Sequence, residues 1–108
     1  MVIKRFEVYW ADLEPTQGSE INKVRPCLIV SPNEMNNKIR TVIIVPFTSS
    51  IKGYATRIFC EFSGRKGEIA IDQIRTLDKL RLQKKIGELD LETSKKVSNV
   101  LVNTFSWF

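Results

Sequence analysis

The chain has 108 residues, 43% of them hydrophobic, with a formal net charge of +5, two cysteines and no histidine. This length and composition predict one globular domain over residues 1–108, with one ordinary core and both cysteines reduced and buried. No apolar run approaches the roughly 20 residues of a membrane span, and the N-terminus lacks the apolar stretch of a signal peptide, so we expect a cytoplasmic protein.

The first third of the chain predicts two strands and a turn of helix. Glu7–Leu13 mixes β-branched and aromatic residues, and Cys27–Val30 is a short apolar run, so both are typical of strands. Ser31–Glu34 (SPNE) fits a capping box with proline at the first helical position. We therefore expect a short helix that ends at Asn36-Asn37.

The middle of the chain predicts four further strands. Thr41–Thr48 (TVIIVPFT) is apolar without interruption in its middle, as in a strand covered on both faces, and its Pro46 implies a bulge, an edge position or the end of pairing. After a loop over residues 49–56, Arg57–Phe62 and Glu68–Ile71 read as strands joined by the turn SGRKG. Strand character continues through Ile74–Leu77.

A helix is predicted at the C-terminus. Asp90 is suited to cap it, and apolar residues recur at helical spacing as its buried stripe: Val97, Val100, Leu101, Phe105 and Phe108. Five or six short strands are too few for a sandwich. The fold class we expect is therefore mainly β with a C-terminal α-helix, arranged as a small, partly open barrel.

Most cofactor and metal chemistry lacks its usual sequence signals. Two cysteines without histidine cannot form a four-ligand zinc site, and the chain has no GxxxxGK[ST], GxGxxG or GxSxG motif. The remaining groups are arginine, hydroxyl and carboxylate. RNA cleavage suits them, because RNA supplies its own 2′-hydroxyl nucleophile and the protein need only position it and stabilise charge. The basic charge also suits phosphates.

Arg25 is the first candidate residue. It precedes Pro26, which favours an extended conformation, at the junction between a polar loop over residues 18–24 and an apolar strand. Its guanidinium can bind a phosphate with two parallel hydrogen bonds. The alternative is an ordinary surface arginine that bridges to Glu20 or Glu14.

Five segments in order, GSEINKVRPCLIVSP, NNK, TVIIVPFTSS, SIKGY and DQIRTLDKLRL, resemble the MazF/PemK family of bacterial toxins. The resemblance runs from about Glu7 to Leu82 and includes the terminal helix. It implies an SH3-like barrel of the CcdB/PemK type and a sequence-specific endoribonuclease of a type II toxin–antitoxin system. Such an enzyme needs no metal or cofactor and leaves 2′,3′-cyclic phosphate and 5′-hydroxyl ends.

The resemblance also implies a catalytic set. It places the family's arginine on Arg25, its threonine on Thr48, and the loop serine and carboxylate on Ser19 and Glu20. Arginine is a weak base near neutral pH, so holding the phosphorane and protonating the leaving oxygen suit Arg25 better than proton abstraction. Glu20 is then the candidate base, with a solvated loop charge as its alternative.

A second implied element is the DQ pair. In some relatives its aspartate, here Asp72, is the base and is assisted by an arginine two residues earlier, but this chain has Ala70 there. We expect Asp72 to orient Arg25 or a partner strand. Gln73 is a candidate RNA contact. Other candidate contacts, each equally explained as turn, surface or core, are Lys23, Asn36, Lys52, Tyr54 and Trp10.

Two kinds of partner and two alternative functions accompany this interpretation. The resemblance implies a homodimer with single-stranded RNA across a groove between subunits, and an acidic, largely disordered antitoxin that covers the groove. One alternative is a CcdB-like toxin that binds DNA gyrase, since the chain ends Ser106-Trp107-Phe108. The other is a noncatalytic RNA-binding barrel.

Overall fold

The computed structural model describes residues 2–107, which form a curled antiparallel sheet with a helix packed against it. The strands are β1 (Glu7–Asp12), β2 (Val24–Ile29), β3 (Thr41–Thr48), β4 (Arg57–Phe62), β5 (Arg65–Ala70), β6 (Arg75–Asp78) and β7 (Leu82–Glu88). The helices are α1 (Asn33–Lys38) and α2 (Leu91–Phe105), with 3₁₀ turns at Ile71–Gln73 and Lys79–Arg81. This architecture confirms the predicted fold class.

Strand β3 organises the sheet because it changes partner along its length. The strand order is β4-β5-β3-β2-β1-β7, and β6 also pairs with β3. Residues Thr41–Ile44 pair with β6, whereas Phe47 and Thr48 pair with β5. The ladder with β2 ends at Pro46, which has no amide proton to donate. One of the three expectations for this proline, the end of pairing, is thus confirmed.

Alternating residues of the central strands bury both faces of the sheet. One face carries a cluster built from Ile3, Tyr9, Ala11, Leu13, Cys27, Ile29, Val42, Ile44, Leu77 and Leu82. The other packs under α2 and consists of Val8, Leu28, Val30, Val45, Phe47, Ile58, Ile69, Ile71 and Val97. Cys27 is fully buried, and that burial raises its thiol pKa to about 12, whereas Cys60 is only half-buried.

The starts of two strands, β2 and β5, differ from prediction, and one strand was missed. Strand β2 begins at Val24, so Arg25 lies inside the strand. Strand β5 begins at Arg65, because Ser63 and Gly64, with φ of 51° and 76°, complete a two-residue hairpin turn. Strand β7 was not predicted.

Both helices differ in detail from expectation. The capping box was wrong: α1 starts after Pro32 without a side-chain cap, and it ends at Lys38. Asp90 does cap α2, since its carboxylate accepts a hydrogen bond from the Thr93 amide at 3.0 Å. Phe105 is 68% exposed, because the last turn of α2 is not covered, and Phe108 lies outside the described residues. No helix of residues 2–107 is long and apolar enough to cross a membrane.

Candidate active site

The register of β2 and β3 brings Arg25 and Thr48 together. Cys27 pairs with Pro46 in this antiparallel ladder, and each step back along β2 is one step forward along β3. The paired positions end at Cys27 and Pro46, and two further steps along each strand align Arg25 with Thr48. Aligned positions of neighbouring antiparallel strands share a face. The two residues that the resemblance implied as catalytic therefore lie on the same face, at the adjoining ends of β2 and β3.

Arg25 presents its guanidinium without a carboxylate partner. Its Nε donates to the Asn22 carbonyl at 2.8 Å, which fixes the side chain against the loop. Within residues 2–107, Arg25 forms no ion pair with Glu14, Glu20 or another acid, and its two terminal nitrogens make no hydrogen bond. The alternative, a surface arginine that forms a salt bridge with Glu20 or Glu14, is therefore not found among the described residues. The outer edge of the guanidinium can bind two oxygens of one phosphate.

Thr48 retains a proton to donate. Its side chain lies at the end of β3, and the residue is only 5% exposed. The Ser50 amide donates to Thr48 Oγ1 at 3.2 Å, so the hydroxyl acts as an acceptor in that bond. No acceptor for the hydroxyl proton is found among the described residues. A phosphate oxygen beside Arg25 would provide one.

The loop over residues 13–23 is closed at its base, directly beside Arg25. Leu13 donates its amide to the Lys23 carbonyl at 3.0 Å, and the Lys23 amide donates to Glu14 Oε1 at 3.0 Å. Lys23 adopts a φ of 69°, a left-handed conformation uncommon for a residue with a side chain. The exposed Lys23 side chain therefore leaves the loop from a geometrically constrained backbone.

A cleft of about 350 Å³ is lined in part by Glu20 and Asp72. Its walls include Pro46, which is two residues from Thr48 on β3, together with Gln73 and Arg75. Glu20 is exposed, and its Oε1 accepts from the Gln17 amide of its own loop at 2.6 Å. Glu20 therefore stands at the edge of the cleft with its second oxygen available. The neighbouring Ser19 is also exposed.

Gln73 and Arg75, which line this cleft, form hydrogen bonds to the loop over residues 13–23. The Gln73 side-chain oxygen accepts from the Ile21 amide at 3.1 Å, and Arg75 donates to the Leu13 carbonyl at 3.0 Å. The amide nitrogen of Gln73 has no hydrogen-bond partner among residues 2–107. Sequence reasoning missed Arg75, although its alternation with Gln73 in the DQIRT segment was a usable signal.

Of the two roles expected for Asp72, orientation of Arg25 is not found, and the contact is instead to Arg57 on the neighbouring strand β4. Both oxygens of Asp72 are held by Arg57, with Nε–Oδ1 at 2.7 Å and Nη2–Oδ2 at 3.1 Å. This hydrogen bonding holds the pKa of Asp72 below its ordinary value. Arg57 lies opposite Ala70 across β4 and β5, so it brings a guanidinium to Asp72 from the neighbouring strand. Sequence reasoning assigned Arg57 no role.

Glu68 ties the loop over residues 49–56 to the same arginine. Arg57 Nη1 lies 3.2 Å from Glu68 Oε1, and the amides of Lys52 and Gly53 donate to the Glu68 carboxylate at 3.1 and 2.9 Å. Burial opposes ionisation of Glu68, but these hydrogen bonds outweigh it and lower its pKa. Arg57 and Glu68 thus fix the loop that follows Thr48.

The remaining candidates divide by their surroundings. Asn36 was a wrong choice as an RNA contact: it is 2% exposed and bonded to Ser31 through both side-chain atoms, at 2.5 and 3.0 Å. Trp10 is half-buried, and the Arg65 guanidinium covers its ring at 4.8 Å. Lys52 and Tyr54 are exposed. No cluster of three acidic, cysteine or histidine side chains suited to a metal ion occurs in residues 2–107.

Comparison with known proteins agrees with this geometry. The family model of the PemK-like, MazF-like toxin of type II toxin–antitoxin systems matches residues 4–105. Endoribonuclease EndoA of Bacillus subtilis (strain 168) is 37% identical, over 94% of this chain and 92% of that protein. MazF from Deinococcus radiodurans superposes with a TM-score of 0.85 at 25% identity, with 96% of each chain covered. A mycobacterial endoribonuclease in complex with its cognate antitoxin gives 0.82 at 28%, covering 98% of this chain and 99% of that one. The chain therefore belongs to the PemK-like, MazF-like toxins of type II toxin–antitoxin systems.

Proposed function

We propose that this chain is an endoribonuclease that cleaves single-stranded RNA, mRNA in particular, in the cytoplasm. The observation that carries the proposal is the alignment of Arg25 with Thr48 on one face, where the terminal nitrogens of Arg25 have no hydrogen-bond partner among residues 2–107. A relative at 37% identity named endoribonuclease supports the reaction class. A gyrase-binding toxin has no comparable support.

The reaction that suits these groups is transfer of the phosphoryl group to the neighbouring 2′-oxygen. The O2′–P bond forms and the P–O5′ bond breaks, which leaves a 2′,3′-cyclic phosphate and a 5′-hydroxyl. Arg25 and Thr48 hold the nonbridging oxygens where negative charge develops. Glu20 accepts the proton of the 2′-hydroxyl, and Arg25 donates a proton to the departing O5′.

The partners in this proposal are an acidic antitoxin and a second copy of the chain. One matched structure, a mycobacterial endoribonuclease, is in complex with its cognate antitoxin. The net charge of +5 suits an acidic tail. Exposed apolar side chains on and after α2 offer surface for a partner subunit: Leu91, Val102, Phe105 and Trp107.

The test is incubation of the purified protein with a mixed-sequence RNA in excess EDTA, followed by mapping of both new ends. We expect cleavage with 5′-hydroxyl and cyclic phosphate ends, and no cleavage where the sugar on the 5′ side of the cut is 2′-deoxy. Ends with 5′-phosphate, or activity that needs added magnesium, would refute the mechanism. No cleavage combined with inhibition of gyrase would favour the alternative function.

A further inference from the structure

The exposed aromatic ring of Phe59 lies in the same cross-strand row of residues as the proposed catalytic pair. This row runs from Arg25 through Thr48 and Glu68 to Phe59. Thr48 pairs with Glu68 across β3 and β5, and Glu68 pairs with Phe59 across β5 and β4. Directly opposite side chains share a face, so Phe59 stands on the face that carries Thr48 and Arg25. Two strand spacings of about 4.8 Å separate Phe59 from Thr48, which is about 10 Å.

Phe59 is not part of the core. Its neighbours Ile58 and Cys60 point to the opposite side and pack under α2, as does Phe62. Phe59 itself is 62% exposed on the open face. A single exposed ring is ordinary on protein surfaces, so its meaning depends on what lies beside it.

A second exposed ring lies next to it. Tyr54 is 54% exposed, and the Arg57 guanidinium lies 5.1 Å from the centre of its ring. Arg57 and Phe59 are two residues apart on β4 and share a face, so about 7 Å of strand separates them. The two rings therefore belong to one surface.

The Arg57 side chain that packs against the Tyr54 ring is held in place by ion pairs. The Arg57 side chain is only 7% exposed and is held by Asp72 on one side and Glu68 on the other. Glu68 in turn holds the backbone of Lys52 and Gly53, immediately before Tyr54.

We propose that Tyr54 and Phe59 form a stacking platform for two unpaired nucleobases that flank the scissile phosphate; this rests on the proposed function. Every base has a π-face, so aromatic side chains bind single strands by stacking, usually beside cations that hold the backbone. Lys52 supplies an exposed cation next to Tyr54. RNA is favoured over a protein partner because the row that ends at Phe59 begins at Arg25 and Thr48.

The experiment compares Phe59→Ala, Phe59→Leu and Phe59→Trp with Leu80→Ala as matched control, since Leu80 is 92% exposed in a different part of the chain. Binding is measured with an uncleavable oligonucleotide that carries 2′-deoxy at the cut. We expect Phe59→Ala to bind about 5- to 150-fold more weakly, the range typical of a lost stacking ring. Leucine should not restore affinity, tryptophan should, and the control should bind normally. The melting temperature of each variant should stay near that of the parent, because Phe59 is exposed.

An abasic scan of the oligonucleotide locates the platform. Removal of one base beside the cut should weaken oligonucleotide binding by the parent protein. Binding by Phe59→Leu should not weaken further when the same base is removed. If the parent and Phe59→Leu bind the oligonucleotide equally well, the platform is refuted. The same holds if Phe59→Leu binds the oligonucleotide normally and loses only dimer formation or antitoxin binding. A parent that cuts no RNA refutes the proposed function, and the binding measurement still tests the platform.

Discussion

Replacement of Arg25 by alanine should abolish most of the RNA cleavage and leave the protein folded. Arg25 is half-buried at the second position of β2, and its side chain makes one hydrogen bond, from Nε to the Asn22 carbonyl. Loss of that bond should cost about 1 kcal/mol of the free energy of unfolding. For a chain of this size the melting temperature should therefore fall by about 5 °C. The folded state should persist at assay temperature.

The effect on cleavage should be much larger. Removal of one preorganised donor to a developing oxyanion typically costs about 3–4 kcal/mol, or roughly a thousandfold in rate. Thr48→Ala should cost less, because it removes one neutral hydroxyl rather than a charged fork. Arg25→Lys should not restore the rate, since an ammonium group cannot bind two phosphate oxygens in one plane.

The assay is single-turnover cleavage of one RNA, run beside thermal melting for each variant. Arg40→Ala is the matched control, because Arg40 is exposed and its side chain makes no hydrogen bond among residues 2–107. We expect the control to cut at the parent rate. An Arg25→Ala protein that melts within a few degrees of the parent and cuts equally fast would refute this assignment of the site.

Three further predictions concern charge and backbone. Lys23→Gln and Lys52→Gln should each lower the salt slope of RNA binding by about 0.7 per lost phosphate contact, and an unchanged slope would place the RNA elsewhere. Because Lys23 has a φ of 69°, Lys23→Gly should melt at or above the parent temperature and Lys23→Val several degrees below it; equal melting of the two would contradict backbone strain. The pKa values of Glu68 and Asp72 are lowered in the folded state, so the stability they contribute is present above their ordinary values of 4.5 and 3.8 and is lost as pH falls through the folded-state values. Melting curves from pH 7 to pH 2 should therefore fall more steeply for the parent than for Glu68→Gln, and parallel curves would contradict this linkage.

Strands that bury an apolar face could be predicted from the sequence, whereas strand β7 could not. Strand β3 shows its burial as a continuous apolar run. Strand β7 (LQKKIGE) lies at the edge of the sheet, where charged side chains are tolerated on the open side. One of them, Lys85, forms an ion pair with the buried Glu7 at 2.7 Å. The charge of Lys85 therefore stabilises β7, although in the sequence the same charge argues against a buried strand.

The start of β2 was misjudged for a different reason. Pro26 was interpreted as a boundary, yet it pairs with Trp10 inside the ladder of β1 and β2. Proline is tolerated where no amide donor is needed, which depends on the partner strand and not on local sequence. The register of β2 with β3, continued two steps past its last pair, aligns Arg25 with Thr48, and no local sequence pattern encodes that alignment.

The least predictable feature of the site is the partner of Asp72. Arg57 is 15 residues away, on a strand whose register with β5 decides that it faces Ala70, and no local pattern encodes that register. The pairing has a chemical consequence. A carboxylate that accepts two hydrogen bonds from one guanidinium, with its pKa lowered, is a poor acceptor for a 2′-hydroxyl proton. Glu20 is the other carboxylate that lines the cleft, and within residues 2–107 one of its oxygens accepts no hydrogen bond, so we propose Glu20 as the acceptor of that proton.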